Sequence, residues 1–428
     1  MKMPSPLLAL LLALMAQSFC YAQSQPAAPS EDLPISETEV LGLFYQRNLD
    51  LIAAHFQINQ SKAQEIIAAA IPNPVFNLNA LEIDGSGRLG NDGAGPGIWF
   101  SVTQLLETAG KRHLREASSA LGTAGAEEDL RDATRTLTAT VRRAYYTLML
   151  AQKDSEVAQD LVTHYERIVR DNELRLKHGD ISESDLWRLK VEAFKARADL
   201  LTTRAAQDKA RVELGSLLRW PPGAAHFVVG ASWPVARQAV LQDAETLVVT
   251  ALGRRPDLDA ARKRVDQARQ DLTLAKRMAV PDVTLGAGFV HDINNLNHDT
   301  ANLSLSVPLP VFDRNQGGIQ KSTVALQTAE LQVDRIQQTV RKEVINSLAA
   351  WENAEAIARG FETDVLKQVE AIRAGAELSY LKGAIGILNL LDAQRDYREV
   401  QQQYQTTLYN RTIAGIDLQT ALEEESQP

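Results

Sequence analysis

The side chains best suited to chemistry lie in the stretch His291-Asp292-Ile-Asn-Asn-Leu-Asn-His298-Asp299, which holds two His-Asp pairs. Imidazole and carboxylate both ligate divalent cations, so a metal site is one reading. The stretch also joins two alternating segments, and Asn and Asp are expected at such a turn because they bond to nearby backbone. The turn is the reading favoured here. The other histidines are scattered without the spacing of a helical metal motif. Gly93-Ala-Gly-Pro-Gly97 has no helix N-terminus after it, so it is not read as a phosphate cradle. No nucleophile or carboxylate pair stands out from the polar background. No catalytic residue, metal site or cofactor is assigned, and no enzymatic activity is expected.

The chain has 428 residues, 45 of them basic and 54 acidic, and no basic run interleaved with aromatics, so a nucleic-acid partner is excluded. Aromatic residues make up only 6% and Ala and Leu dominate the apolar set, which suits long packed helices. Residues 1–22 read as a secretory signal: Lys2, an apolar run from Leu7 to Met15 that is too short to span a bilayer, and a cut after Ala22. Phe19 precedes Cys20 where a lipidation signal has a small residue, so plain cleavage is expected. The mature chain then lacks cysteine, which excludes disulfides and thiol chemistry. Residues 23–35 read as a flexible lead-in.

Two blocks recur along the rest of the chain. Glu173, Leu174, Gly179, Ile181 and Leu186 match Glu377, Leu378, Gly383, Ile385 and Leu390; Leu49, Asp50, Ala70 and Pro72 match Leu258, Asp259, Ala279 and Pro281. The offsets are nearly equal and the order is the same, so the chain reads as a duplication. The first copy, 36–219, opens with a capping box at Ser36 and Glu39 and has helices up to Pro72. A strand hairpin follows at about 74–105, in which Phe76, Leu78 and Ala80, then Ile98, Phe100 and Val102, alternate with mostly polar residues. From 111 to 219 there is no proline and His178-Gly179-Asp180 is the only break, so two antiparallel helices are expected, the first of about 60 residues and roughly 90 Å. Leu186, Leu189, Ala193, Ala196 and Leu200, with Ala210, Leu214 and Leu217, mark a coiled-coil seam on the second. A connector spans 220–237, within which the segment through Phe227 can pair as a short strand. The second copy, 238–424, repeats the plan with a strand hairpin at about 282–309 and a helical hairpin at about 317–424 that only the Gly383 turn interrupts.

Four amphipathic strands have the length and alternation of a membrane barrel wall, and lipid tolerates only helices or closed barrels. Four strands cannot close alone, so closure must be shared among chains. A 90 Å hairpin is far longer than a bilayer is thick and must project into water. With a signal peptide, these features point to the outer membrane. The competing class is a secreted coiled-coil scaffold or adaptor, which has no use for four such strands.

At this point the sequence resembles the TolC-like trimeric outer membrane efflux channels, across about Ser36 to Leu422. Pro74-Val75-Phe76, Gln104-Leu-Leu-Glu107, Gly110-Lys111-Arg112 and Arg115 are most similar to the cobalt-zinc-cadmium resistance branch, although Ala109 stands where a second glycine is usual. The resemblance implies a mixed but predominantly α membrane fold: a homotrimer whose long hairpins form an α-barrel topped by a shared 12-stranded β-barrel. It implies a periplasmic adaptor, an inner-membrane RND-type pump and outer membrane lipid as partners, and heavy-metal cations as cargo. Multidrug efflux and type I protein secretion remain the alternatives. By position, Tyr380 and Asp185 match the hydrogen-bonded gate pair, while an arginine that often adds a second restraint is Ile385 here. Asp392 matches one carboxylate of a constricting ring whose other position is Asn389. Gly179, Asp180 and Ile181, with Gly383, Ala384 and Ile385, match the turns on which adaptor tips pack. Outside the resemblance, Tyr380 and Asp185 are ordinary helix-end residues and Asp392 is a surface partner of Arg395.

Overall fold

A computed structural model of the chain describes residues 33–80, 97–221, 226–230, 232–234, 243–292 and 299–423. The leader and its cleavage site lie outside these residues, as do both strand-hairpin tips, including His298.

The expected lead-in ends earlier than residue 35. Leu33–Ile35 forms strand β1, which runs parallel to β4 (Phe227–Val229) in the connector, with Leu33 paired to Phe227 and Ile35 to Val229. Ile35, Phe227 and Val229 are buried, so apolar burial at this crossing fixes a segment that composition alone marks as loose. Helices α1 (Glu37–Arg47) and α2 (Leu49–Ala69) follow, α1 carrying the anticipated capping box. Its Ser36 Oγ accepts the Glu39 N–H at 3.2 Å while the Glu39 carboxylate accepts the Ser36 N–H at 2.8 Å.

Strands β2 (Val75–Ala80) and β3 (Gly97–Leu106) lead into α3 (Lys111–His178) and α4 (Glu183–Leu217). The second half repeats that order. It has α5 (Ala244–Arg254), α6 (Pro256–Arg277), β5 (Val283–Asp292), β6 (Thr300–Ser306), α7 (Gln316–Gly360), α8 (Leu366–Leu381) and α9 (Ile387–Leu422). Helix α3 has 68 residues, more than expected, and at 1.5 Å per residue reaches about 100 Å. It packs on α2, α4, α6 and α9. Leu186, Leu189, Ala196, Leu200, Ala210 and Leu214 bury the predicted α4 seam.

One expectation fails in the second hairpin. The run before Gly383 is not a single α-helix, because a π-helical turn, Phe361–Val365, separates α7 from α8. Thr363 turns its hydroxyl back onto the Arg359 carbonyl at 3.0 Å, and Arg411 of α9 reaches Glu355 before the turn and Glu362 within it, at 3.9 and 3.2 Å. The turn shifts the helix register by one residue, a change carried by cross-helix contacts and without a proline to announce it.

The four strands form one antiparallel sheet in the order β2-β3-β5-β6. The register lines Phe76, Val102, Ala287 and Leu303 in one row, and Leu78, Phe100, Phe289 and Ala301 in the next. Between them run Asn77, Ser101, Gly288 and Asn302. Side chains alternate across a strand, so one face is apolar and the other polar or small. Phe76, Leu78, Val102, Leu303 and Leu305 are all exposed, as on a sheet whose apolar face meets no core of its own chain.

The sheet is tied to the helices by the motif around Lys111. Its buried ammonium donates to the Val280 carbonyl at 2.6 Å and to Asp282 at 2.7 Å, and Thr108 donates its N–H to the same carboxylate at 2.8 Å. Burial alone would raise the Asp282 pKa, yet these donors hold it below the usual carboxylate range. Glu107 and Arg115 form a paired fork beside it, and Ala109 takes a left-handed φ of 57° ahead of Gly110.

Candidate functional site

The far end of the molecule carries the residues singled out by sequence. Both turns there fold alike. Gly179 donates to the Leu176 carbonyl at 3.0 Å and Asp180 to Arg175 at 2.9 Å; Gly383 donates to Tyr380 at 3.0 Å and Ala384 to Ser379 at 2.8 Å. These are Schellman caps, which place one residue at positive φ, and the glycines sit at 80° and 73°. Open space lies where a side chain on either glycine would be, so another backbone can approach closely. Asp180 and Ala384 are exposed, whereas Ile181 is half-buried and Ile385 packs against the core beneath the turns.

That core joins the two hairpins. Leu161, Val162, Tyr165 and Ile168 of α3 meet Leu189 and Leu200 of α4 and Tyr380, Ile387, Leu390 and Leu391 of the second hairpin. Within it the Tyr380 hydroxyl donates to Asn172 Oδ1 at 2.6 Å. Asn172 is 2% exposed, and its Nδ2 donates to the Ile168 carbonyl at 2.8 Å, which leaves Oδ1 facing the tyrosine as acceptor. The Arg175 guanidinium stands 5.0 Å from the tyrosine ring centre. Burial raises the Tyr380 pKa, with nearby Asp185 adding to the rise and Arg175 opposing it, so the hydroxyl keeps its proton and remains a donor.

The expected pairing of Tyr380 with Asp185 is therefore replaced. Asp185 accepts instead from the Ser182 hydroxyl at 2.7 Å, while Ser182 caps α4 by accepting the Asp185 N–H. The reason is local: a Ser-x-x-Asp pair at a helix start satisfies itself, and the buried asparagine lies within reach of the tyrosine. The sequence signal for Asn172 is a polar residue in the apolar seam that runs through Tyr165 and Ile168. Two ion pairs also cross between hairpins, Arg167 with Glu377 at 3.1 Å and Arg398 with Asp199 at 2.7 Å. Exposed pairs of this kind contribute at most about 1 kcal/mol each.

Asn389 and Asp392 share an exposed face of α9 with Asp396. Asp392 lies 3.6 Å from Arg395, a loose surface contact, so its charge stays open to the space around the tip. At the opposite end, His291 Nδ1 and Asp299 Oδ1 are 2.8 Å apart across the ends of β5 and β6. Among the described residues no cluster of three metal-ligating side chains forms, and no helix is long and apolar enough to cross a membrane.

Helical hairpins with a leading helix about three bilayers long, carrying a strip of amphipathic sheet at one end and paired glycine turns at the other, match a protein anchored in a membrane by its sheet and projecting from it by its helices. The chain belongs to the outer membrane efflux protein family, whose model matches residues 40–218 and 247–423. It is similar to the cobalt-zinc-cadmium resistance protein CzcC of Cupriavidus metallidurans, 23% identical over 407 residues that cover 93% of this chain and 94% of the relative. It is also similar to the pyoverdine export outer membrane protein OpmQ of Pseudomonas putida, 24% identical over 399 residues, or 87% of this chain and 82% of the relative. The fold matches the crystal structure of the Campylobacter jejuni CmeC outer membrane channel with a TM-score of 0.77 at 16% identity, covering 92% of this chain and 87% of that one. The protein is an outer membrane efflux channel.

Proposed function

We propose that three copies of this chain close a shared barrel in the outer membrane and extend a helical tube into the periplasm. There the tube meets a periplasmic adaptor and an RND-type inner-membrane pump and passes heavy-metal cations outward. The observation that carries this is the pairing in one chain of an open-edged amphipathic sheet with helical hairpins, the leading helix of the first reaching about 100 Å. Cations as cargo are supported by similarity to CzcC and by the exposed carboxylate of Asp392 on the tip face. A ring of such carboxylates would attract cations and repel anions, less strongly in salt. The turns at Gly179–Ile181 and Gly383–Ile385 are the proposed adaptor contacts.

The gate in this proposal is the Tyr380–Asn172 hydrogen bond inside the tip core, rather than a Tyr380–Asp185 pair. Asp185 then serves the α4 cap and Asp392 the field at the tip, with Asn389 an uncharged neighbour on the same exposed face. No reaction is assigned to any residue. The test is tolerance to cobalt, zinc and cadmium in a strain lacking the gene, complemented by wild type or by Asp392→Asn. Restored tolerance by wild type, weakened by the substitution, supports a cation duct. Unchanged metal tolerance with restored export of an organic solute would move the cargo to the class represented by OpmQ.

A further inference from the structure

The connection after β6 is unlike the other links between sheet and helices. Apolar residues continue at every second position past the end of the strand, from Leu303 and Leu305 through Val307, Leu309 and Val311, and Phe312 follows at once. Pro308 and Pro310 stop the ladder because they have no N–H to donate. Phe312 is 93% exposed and Leu309 79%. The Asn315 side chain donates to the Ala275 carbonyl at 2.7 Å, which brings this segment against the C-terminus of α6. Met278 and Val280 are exposed there too, beside the exposed cations Lys276 and Arg277, and Arg314 adds a third. No carboxylate among the described residues pairs with these three. Asp313 is engaged locally, accepting the Asn315 N–H at 2.8 Å.

Apolar side chains flanked by cations at the level where a barrel wall ends match a lipid interface: the acyl side takes the apolar groups and the phosphate side takes the cations. We propose that Leu309, Val311 and Phe312 sit in the periplasmic leaflet of the outer membrane, with Lys276, Arg277 and Arg314 on the headgroups of anionic phospholipid. Arg314 Nε donates to the Pro310 carbonyl at 3.4 Å, which leaves the rest of its guanidinium outward. A second copy of the chain would be the other cover for the apolar residues, but it offers no reason for three cations without a carboxylate partner around them. Continuity with the apolar face of β6 assigns the same environment to both. The inference rests on the sheet being barrel wall.

The experiment uses the exported protein, produced from a precursor with Cys20, the only cysteine of the sequence, replaced by serine so that no native thiol is labelled. Single cysteines at Leu305 and at Phe312 carry spin labels, and the protein is reconstituted in vesicles of phosphatidylethanolamine and phosphatidylglycerol. Collision with oxygen reports lipid, and collision with a water-soluble nickel chelate reports solvent. Both labels should favour oxygen, the one at 312 at shallower depth. A label at 312 that meets the nickel chelate, or neither reagent, while 305 favours oxygen would overturn the lipid contact and leave the barrel intact. A label at 305 that fails to favour oxygen would overturn both. Arg277→Gln with Arg314→Gln should move the 312 label toward water and leave 305 in place; no movement would overturn the headgroup contact.

Discussion

Tyr380→Phe removes one oxygen from the tip and leaves Asn172 Oδ1 buried without its donor. A buried polar group left unsatisfied costs about 1–3 kcal/mol, and in the gate proposed above the cost falls on the closed arrangement, taken as the one in which the two hairpins share that core. If opening exposes Asn172 to water, each chain's open-to-closed ratio rises about tenfold for every 1.4 kcal/mol. Three chains opening together would multiply that to about a thousandfold. The assay is single-channel recording of purified protein in planar bilayers, scoring the open fraction of Tyr380→Phe against wild type. The double change Tyr380→Phe with Asn172→Leu removes both partners, and replacing a buried pair by apolar groups is nearly neutral. It should therefore close again toward the wild-type level. An open fraction in Tyr380→Phe equal to that of wild type would refute the latch. So would a double variant as open as the single one, because the gain would then come from lost packing rather than from an orphaned acceptor.

Asp185→Asn should raise the open fraction far less than Tyr380→Phe, because its carboxylate serves the Ser182 cap; equal effects in the same recordings would restore the Tyr380–Asp185 pair as the lock. Ala109→Gly should stabilise the protein by about 1 kcal/mol, seen as a higher Tm, because alanine at a left-handed φ is strained and glycine is not. Burial pushes the Asp154 carboxyl up to about 6. The folded state then holds a proton that the unfolded state has already lost, so this group's contribution to stability falls as pH rises from about 4 to about 6. Asp154→Asn should raise Tm at neutral pH and flatten that part of the profile; an unchanged slope would count against the burial.

Much of the architecture was legible because its signals are long. Period-two alternation at Phe76, Leu78, Phe100 and Val102 announced the strands, and the absence of proline between Lys111 and Trp220 announced the hairpin. Gly179 and Gly383 marked both turns, since a Schellman cap needs a residue that accepts positive φ. What escaped was set by contacts between distant segments. Leu33–Ile35 becomes a strand only because Phe227–Val229 lies beside it, and the π-helical turn at Phe361 depends on where Arg411 and Tyr404 of α9 fall. The partner of Tyr380 is hidden from the sequence for a related reason. Position relative to a turn indicates which residues are near the tip, whereas the hydrogen bond goes to whichever polar group the packed seam buries, here Asn172, 208 residues away.

Whether this chain makes a pore is decided by single-channel recording of the wild-type protein, purified as an oligomer, in planar bilayers with a salt gradient. A duct with Asp392 on its tip face predicts discrete conductance steps whose reversal potential favours cations, shifting toward zero in Asp392→Asn. A protein that inserts no conductance under any voltage or salt condition would contradict the pore and leave the hairpins as a scaffold.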